Sequence, residues 1–522
     1  MLTTNYITRE RIYLFGLILL AVGIPVSHII MSIAQIILLA NWLFDKNLLN
    51  HLKKFYNNRV AFIFSLIFLI HITGLFYTSD FDYAIKDLRT KIPLIFLPIL
   101  FSSYKPLSYR NIKTILFWYV ISVTFASFAC FYAYFTKQIS DIREISIFIS
   151  HIRFSLNICL AICILFYFLF IKISFEKKTY QFITLLIFLW LIMFIFILQS
   201  LTGILIFLIL ILAYILFLIF ASKNLLNKII LSLILIISFT GIFFLMFTYY
   251  HDYFTVKEAN YSNLEKTTKR GNIYEHNFTT YGIENGNYIG LYVCNKELAE
   301  EWAKRSKINY DSNDVKNQQV KITLLRFLNS KGLRKDADGI NALSDKEINA
   351  IENGTANCLY MNEFSIKSRI FMILFEFNNY TLSGTTKGYS IIQRYELWKA
   401  AIGIIKQNFW IGVGTGDMVN AYQNQLTIMN SDLKNQKIRS HNQYLSIFSA
   451  FGILGLIIFL FSYIYPAIVS KSFNKFLFVS FFLIATFSMI NEDTIETQTG
   501  VTFFAFFYLL FLFLKPNEDQ IS

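Results

Sequence analysis

Apolar residues run through this chain in long blocks, separated by short polar connections and interrupted once, late, by a long polar stretch. A bilayer core is crossed by roughly 20 apolar residues in helical form, fewer where a segment is kinked, and on that criterion the blocks predict about twelve membrane-spanning helices. They fall at 12–24, 26–44, 60–76, 92–103, 112–135, 154–171, 180–198, 201–220, 228–248, 445–465, 474–490 and 501–514. Only Pro25-Val26-Ser27-His28 divides the first two. The first block follows Arg9 and Arg11 and lacks a small-residue cleavage site, so it reads as a retained helix and not a signal peptide. The pattern predicts an all-α polytopic protein in three parts: helices 1–9 over 1–248, a hydrophilic segment over 249–444, and helices 10–12 with a tail over 445–522.

The hydrophilic segment itself divides. Residues 249–377 are polar and mixed in charge, with turn signals at Asn285-Gly286, Lys331-Gly332 and Asn353-Gly354. Ser344-Asp345-Lys346-Glu347 has the spacing of a capping box, so a small, partly helical insert is expected. Residues 378–444 differ. Ile391, Tyr395, Trp398, Ile402, Ile405 and Phe409 alternate at steps of four and three, which predicts a helix with one apolar stripe bordered by Arg394. A glycine-rich turn follows, Gly412-Val413-Gly414-Thr415-Gly416-Asp417, where positive φ angles would leave backbone N–H groups free to face an anion. Arg439, His441 and Asn442 then stand directly before the tenth apolar block.

Composition settles the class. Of 522 residues 55% are hydrophobic, with 56 Phe and only 6 Pro, a profile far from that of a soluble domain. The net charge of +14 would otherwise suggest nucleic acid, but Lys and Arg gather on cytoplasmic loops of membrane proteins. With the N-terminus inside, inner segments outweigh the short outer loops in Lys and Arg by roughly three to one, which puts both termini in the cytoplasm and 249–444 outside. No nucleic-acid partner is expected. Cys130, Cys159 and Cys163 lie in apolar blocks, whereas Cys294 and Cys358 stand alone in the outer segment and form a candidate disulfide. No His/Cys cluster with zinc spacing occurs. Asp336-Ala337-Asp338-Gly339 is similar to the opening of a calcium loop but lacks the later ligands, so no metal or other cofactor is expected.

Two further outer-face groups carry chemistry. His151-Ile152-Arg153 opens the sixth block, and Asn491-Glu492-Asp493-Thr494-Ile495-Glu496 links the last two. An arginine at a helix end commonly snorkels, and an acidic loop is commonly just solvated. Together with Arg394, Arg439 and His441 on one face, however, they offer guanidiniums for phosphate and an imidazole that titrates near neutrality, a set suited to displacing a diphosphate-linked group.

These segments, in this order, resemble the O-antigen ligase family. The resemblance rests on Gln393-Arg394 with Trp398, on Gly412-Val413-Gly414-Thr415-Gly416, and on Arg439-Ser440-His441-Asn442 followed by Leu445 and Gly452. The long insert with Glu284-Asn285-Gly286 and Lys331–Asp336, and Glu492-Asp493-Thr494, look like the Bacteroidetes branch. The resemblance implies a C-type glycosyltransferase membrane fold in the bacterial inner membrane. It also implies metal-independent transfer of a glycan from undecaprenyl diphosphate to a sugar hydroxyl of lipid A–core on the periplasmic side. His441 matches the family's essential loop histidine, Arg394 its loop arginine, and Arg153 the arginine opening the middle span. Arg439, Asn442, Trp398, Gly414, Gly416, Glu492 and Asp493 would line the substrate site. Ser200-Leu201-Thr202-Gly203 departs from the family's Ser-Arg-Gly, which leaves the number of diphosphate ligands open.

Inversion at the anomeric carbon is the expected course, with His441 as base and the polyprenyl chain reaching the site sideways from lipid along the 391–409 stripe. A carboxylate base, Glu492, Asp493 or Glu496, is the alternative. An O-antigen polymerase shares topology and chemistry, and the single large outer loop favours a ligase. A transporter is a third reading, opposed by the near absence of ionisable residues inside the predicted spans, His71 apart.

Overall fold

A computed structural model describes residues 9–136, 142–171, 177–256, 261–362, 365–386, 388–436 and 438–514; the tail expected after 514 lies outside them. The fold is nearly all-α, and the described residues hold a single two-stranded hairpin. Among the described residues seven helices are long and apolar enough to cross a membrane: Arg59–Tyr77, Tyr109–Thr136, His151–Ile171, Lys178–Ile197, Leu201–Ala221, Leu225–Phe254 and Gln443–Val469. An eighth span results if His28–Leu43 and Leu48–Asn57, bent by 106° at their junction, are counted as one. The other apolar blocks also form helices. Arg9–Val26 begins with three charged residues, and Pro93–Ser103, Phe476–Asn491 and Gln498–Leu512 have 11, 16 and 15 residues, short of the usual spanning length.

The chain forms two compact units, Met1–Leu218 with Arg394–Ser522, and Ile219–Gln393. The second holds the insert. Asn285 and Gly286, both at positive φ, turn an antiparallel hairpin that pairs Ile283 with Tyr288 and Glu284 with Asn287. The capping box at Ser344 and Glu347 forms, and Gly332 and Gly354 adopt positive φ just past helix ends. Trp302, Leu324, Phe327, Leu328 and Ile351 are fully buried in its core. Buried Glu284 takes two bonds from Arg326, at 2.8 and 3.1 Å. Asp336 caps Gly339 and bonds Tyr274, while Asp338 pairs with Lys269 at 2.8 Å, so both acids of the Asp336–Gly339 motif serve the local fold. The candidate disulfide is absent: Cys294 and Cys358 are both free thiols. Cys294 is buried ahead of the helix Asn295–Arg305 and Cys358 Sγ lies 3.6 Å from the Ser330 carbonyl, so each has its own packing environment.

The first unit is built on a broken helix. Gln443–Val469 is interrupted at Gly452, with φ 63° and ψ −168°, which releases backbone groups that a bilayer interior cannot hydrate. The segment after the helix Ser390–Gln407 satisfies them. Ile453 N–H donates to Phe409 O at 2.8 Å and Leu454 N–H to Trp410 O at 3.5 Å. In return Val413 N–H donates to Ser449 O at 3.0 Å and Gly414 N–H to Ala450 O at 2.8 Å. Two backbones can approach so closely only where side chains are missing: a Cβ on Gly452 would lie 2.2 Å from the Trp410 carbonyl carbon, and one on Gly412 2.2 Å from that of Ala450.

The expected apolar stripe is only partly the buried one. Leu397, Ala400, Ala401 and Ile404 are buried, whereas Tyr395, Ile402 and Phe409 are 41%, 48% and 44% exposed. The helix thus presents two apolar faces, one to the protein and one outward.

Gly452→Ala combines a strained φ with a backbone clash and should cost at least about 3 kcal/mol, seen as a lower melting temperature or lost folded yield in detergent. Gly241→Ala, whose added Cβ meets nothing within 4 Å, should leave stability nearly unchanged.

Candidate functional site

The glycine turn is a clamp and not an open anion cradle. Besides the bonds to Ser449 and Ala450, Thr415 N–H donates to Gly74 O at 3.4 Å and Gly416 N–H to Thr78 Oγ1 at 2.8 Å. Thr415 Oγ1 donates to His71 O at 2.6 Å. Asp417 accepts from Ser79 N–H at 2.7 Å, Asp80 N–H at 3.0 Å and Thr78 Oγ1 at 3.2 Å. The N–H groups of Gly414 and Gly416, expected to face substrate, are therefore spent on the fold, because the broken helix and the segment after Thr73 supply carbonyl and hydroxyl partners.

Beside the clamp lies a buried ion network. Lys91 reaches both oxygens of Asp87 at 2.6 Å, one turn earlier on Phe81–Lys91, and Glu496 at 2.7 Å. Arg439 bonds Glu496, Tyr83 and, at 3.2 Å, Asp87. His71 Nδ1 is 3.5 Å from Asp87. Gln443 donates to Glu496 at 3.0 Å and accepts from Ile495 N–H at 2.9 Å. Burial alone would raise both carboxyls, but Lys91, the His71 contact and Arg439 hold Asp87 well below the usual range. Arg439 and Lys91 lower Glu496 against the effect of its burial. Arg439, read from sequence as a substrate ligand, has its guanidinium directed to these internal partners.

The network fixes the segment that carries His441. Asn442 caps the helix Gln443–Val469 by accepting from Leu445 N–H at 3.1 Å. Trp398 Nε1 donates to Ser440 O at 3.0 Å, which ties the Arg394 helix to this segment. Asp493 accepts from His441 N–H at 3.0 Å and from Ser446 Oγ at 2.7 Å. His441 itself sits at φ 52°, a left-handed conformation that costs a non-glycine residue about 1–2 kcal/mol and that the Asp493 bond helps hold.

Two arginines from different helices converge on Glu492. Arg394 Nη2 lies 3.7 Å and Arg153 Nη2 4.0 Å from its carboxylate oxygens. Burial pushes Glu492 above the usual carboxylate range, against the opposing pull of Arg153, His441 and Arg394. Asp493 is also raised, by burial and then by the charge of Glu496. Burial and the like charge of Arg143 lower Arg394, with Glu492 acting in the other direction. Arg143 is thus a third guanidinium of the neighbourhood, and no spacing signal links it to Arg394. Thr202, where an arginine is missing from the family pattern, accepts from Asn491 Nδ2 at 2.8 Å. Beside it Ser200 donates to Ser155 at 3.0 Å. That helix end is packed closely: a Cβ on Gly203 would fall 2.4 Å from the Ser155 Cβ.

Of the residues singled out from sequence, the structure gathers Arg153, Arg394, Glu492, Asp493 and His441 into one site. Arg439, Trp398 and Asn442 stand behind them with internal bonds, and Gly414 and Gly416 belong to the clamp. Sequence reading missed Asp87 and Lys91, although their i, i+4 spacing was a visible signal.

Apolar helices of spanning length around a partly buried set of guanidiniums, carboxylates and an imidazole define a multi-pass membrane protein with a polar site at the helix ends. Residues 356–460 match the family model Wzy_C, O-Antigen ligase. It contains Arg394, Trp398, the glycine clamp, Arg439, His441 and Asn442. No curated protein matches the chain.

Lys91→Met leaves Asp87 and Glu496 buried with too few cations and should destabilise the protein by about 3–5 kcal/mol, whereas Lys91→Met with Glu496→Gln should recover much of that loss. Both carboxyls have depressed folded-state values. Their stabilising effect is therefore present above the ordinary carboxylate pKa of about 4 and is lost as pH falls below it. Melting temperatures between neutrality and pH about 3 would show that loss in the parent and a shallower one in the double variant.

Proposed function

We propose that the protein is a metal-independent, inverting membrane glycosyltransferase. It would move a glycan from undecaprenyl diphosphate to a sugar hydroxyl of lipid A–core on the periplasmic face of the bacterial inner membrane. The observation that carries this reading is the convergence of Arg153 and Arg394 on the half-buried Glu492 carboxyl, within electrostatic reach of His441. The O-antigen ligase match over 356–460, which holds Arg394 and His441, supports it.

In the proposed reaction the two guanidiniums grip the donor diphosphate, taking the part a divalent cation plays in other phosphate chemistry. His441 accepts the proton of the acceptor hydroxyl as its oxygen bonds to the anomeric carbon from the side opposite the diphosphate. The bond from that carbon to the diphosphate oxygen breaks, and undecaprenyl diphosphate leaves with its new charge held by Arg394 and Arg153. An apolar cavity of about 580 Å³ among the helices His151–Ile171, Lys178–Ile197 and Leu201–Ala221, with Phe166, Phe188, Phe207 and Tyr214 on its walls, gives a polyprenyl tail a place to lie. Phe166 is thirteen residues beyond Arg153 on one continuous helix, about 20 Å at 1.5 Å per residue, within reach of a long isoprenoid.

A second base is favoured by one observation: Glu492 has its carboxyl raised by burial and lies between the arginines. Glu496, held ionised by Arg439 and Lys91, is poorly placed for that work. Transfer assays with lipid-linked glycan separate the two. His441→Ala should lower turnover by about 10²–10⁴-fold with donor binding retained, the usual worth of a general base. Turnover lost in Glu492→Gln but retained in His441→Ala would pass the role to Glu492. Arg394→Lys and Arg153→Lys should each be markedly defective, because an ammonium cannot make two parallel bonds to a diphosphate.

Ligase and polymerase differ in the cell. Deleting a ligase leaves polymerised glycan on the carrier, and deleting a polymerase leaves single repeats on the core; the ligase outcome is expected. For orientation, a cysteine placed at the exposed position Asp311 should react with an impermeant thiol reagent in spheroplasts, and one at exposed Lys46 should not.

A further inference from the structure

The short helix Leu48–Asn57 has three faces with three different characters. His51 and Phe55 are buried against the protein. Leu49, Leu52 and Tyr56, at steps of three and four, form an apolar stripe that is 83%, 39% and 73% exposed. Asn50, Lys53, Lys54 and Asn57 occupy the remaining side and, with Arg59 and Ser102, line an open recess of about 700 Å³. Three cations, amides and a hydroxyl make up that lining. Lys54 Nζ donates to Ser103 O at 3.2 Å, which holds it at the rim, and Lys53 and Arg59 are exposed.

The placement gives this pattern a meaning. The helix turns 106° away from His28–Leu43 and is joined to Arg59–Thr73 through Asn58 alone, so it connects the ends of two apolar helices. Arg59 is at the opposite end of its helix from His71, which touches the glycine clamp; twelve residues separate them, about 18 Å along the axis. The recess therefore lies on the membrane face away from His441. A helix with an exposed apolar stripe beside a basic face, set at the end of spanning helices, is stable in the interface, with its stripe among acyl chains and its cations at headgroup level.

We propose that Leu48–Asn57 is an interfacial helix whose Lys53, Lys54 and Arg59 bind the phosphate headgroup of an anionic phospholipid while Leu49, Leu52 and Tyr56 enter the acyl region. Charge complementarity selects the ligand: a zwitterionic headgroup brings its own cation to the same recess, and an anionic one does not. The exposed stripe selects the source, because a soluble phosphate would leave Leu49 and Tyr56 in water.

The test uses the full chain carrying Leu49→Trp, reconstituted in phosphatidylcholine vesicles doped with either dibrominated phosphatidylglycerol or dibrominated phosphatidylcholine, with the unsubstituted protein as background. Bromine quenches a neighbouring indole, so the two titrations give a relative binding constant. It should favour the anionic lipid by at least about fivefold, the effect of one cation at a bilayer surface. Adding Lys53→Gln, Lys54→Gln and Arg59→Gln should bring it to about one with the melting temperature unchanged. If the triple variant does not fold, Lys53→Gln and Arg59→Gln are read singly, each expected to lower the preference severalfold. Equal quenching by both lipids in the parent reporter, or a preference that survives the substitutions, would overturn the headgroup site. Absence of quenching by either lipid would overturn the interfacial placement, and relief of quenching by millimolar inorganic phosphate would reassign the recess to a soluble anion. Transfer activity enters none of these readouts, so the outcome is independent of the proposed reaction.

Discussion

A helix broken inside its own apolar run is the constraint on which the first unit depends. At Gly452 the backbone of Gln443–Val469 leaves the helical region, and each N–H or carbonyl it releases costs several kcal/mol in a medium without water unless another group bonds it. The chain meets that cost with backbone from 409–414, in four hydrogen bonds exchanged between two segments. Proximity on this scale requires glycine on both sides, and Gly412 and Gly452 face each other's neighbours. The interlock sets where the helix Ser390–Gln407 ends relative to where Gln443–Val469 begins. Arg394 is carried on the first of these elements and His441 stands just before the second, so the break registers the two against one another.

The ion network extends that registration to a third element. Lys91 and Asp87 on Phe81–Lys91 are joined through Glu496 and Arg439 to the segments bearing Asp493 and His441. Burying so many charges is not in itself favourable; apolar residues of similar volume often serve stability as well or better. What the charges add is directionality. Each carboxylate accepts from donors on different elements, and a shift of any one element would leave a buried charge unpaired. A site that must hold an imidazole backbone at positive φ benefits from such restraint, because that strain persists only where its surroundings over-determine it.

How much of this was legible depended on the range of the interaction. Local signals read well: Asn285-Gly286 turns a hairpin, Ser344 and Glu347 form their capping box, and residues 390–407 are helical. The O-antigen ligase match covers the stretch whose motifs carried the resemblance. The glycine turn shows the limit. Its positive φ angles follow from the residues, but the fate of its N–H groups follows from carbonyls near Gly452, some forty residues on, and from Gly74 and Thr78, more than three hundred residues earlier. Arg439 was assigned to substrate for the same reason, since nothing near it in sequence announces Asp87 or Tyr83. The Cys294–Cys358 bridge was inferred from compartment and number alone, and neither determines the distance between two thiols.

Distance also separates the roles of the arginines. Arg439 makes short, charge-assisted bonds to carboxylates that stay ionised, so removing it would expose two buried anions. Arg153 and Arg394 approach Glu492 at 4.0 and 3.7 Å, well beyond the 2.7–2.9 Å of a charge-assisted hydrogen bond. Their carboxylate partner is, moreover, one that burial drives toward protonation. That pairing balances charge without committing the donors. A diphosphate, with more charge and more oxygens than one carboxylate, would bring both guanidiniums to bonding distance, and Glu492 could yield the position by taking up a proton. On this argument Glu492 keeps two desolvated arginines compatible with the fold, and in the proposed reaction the same weak hold would let a stronger anion replace it.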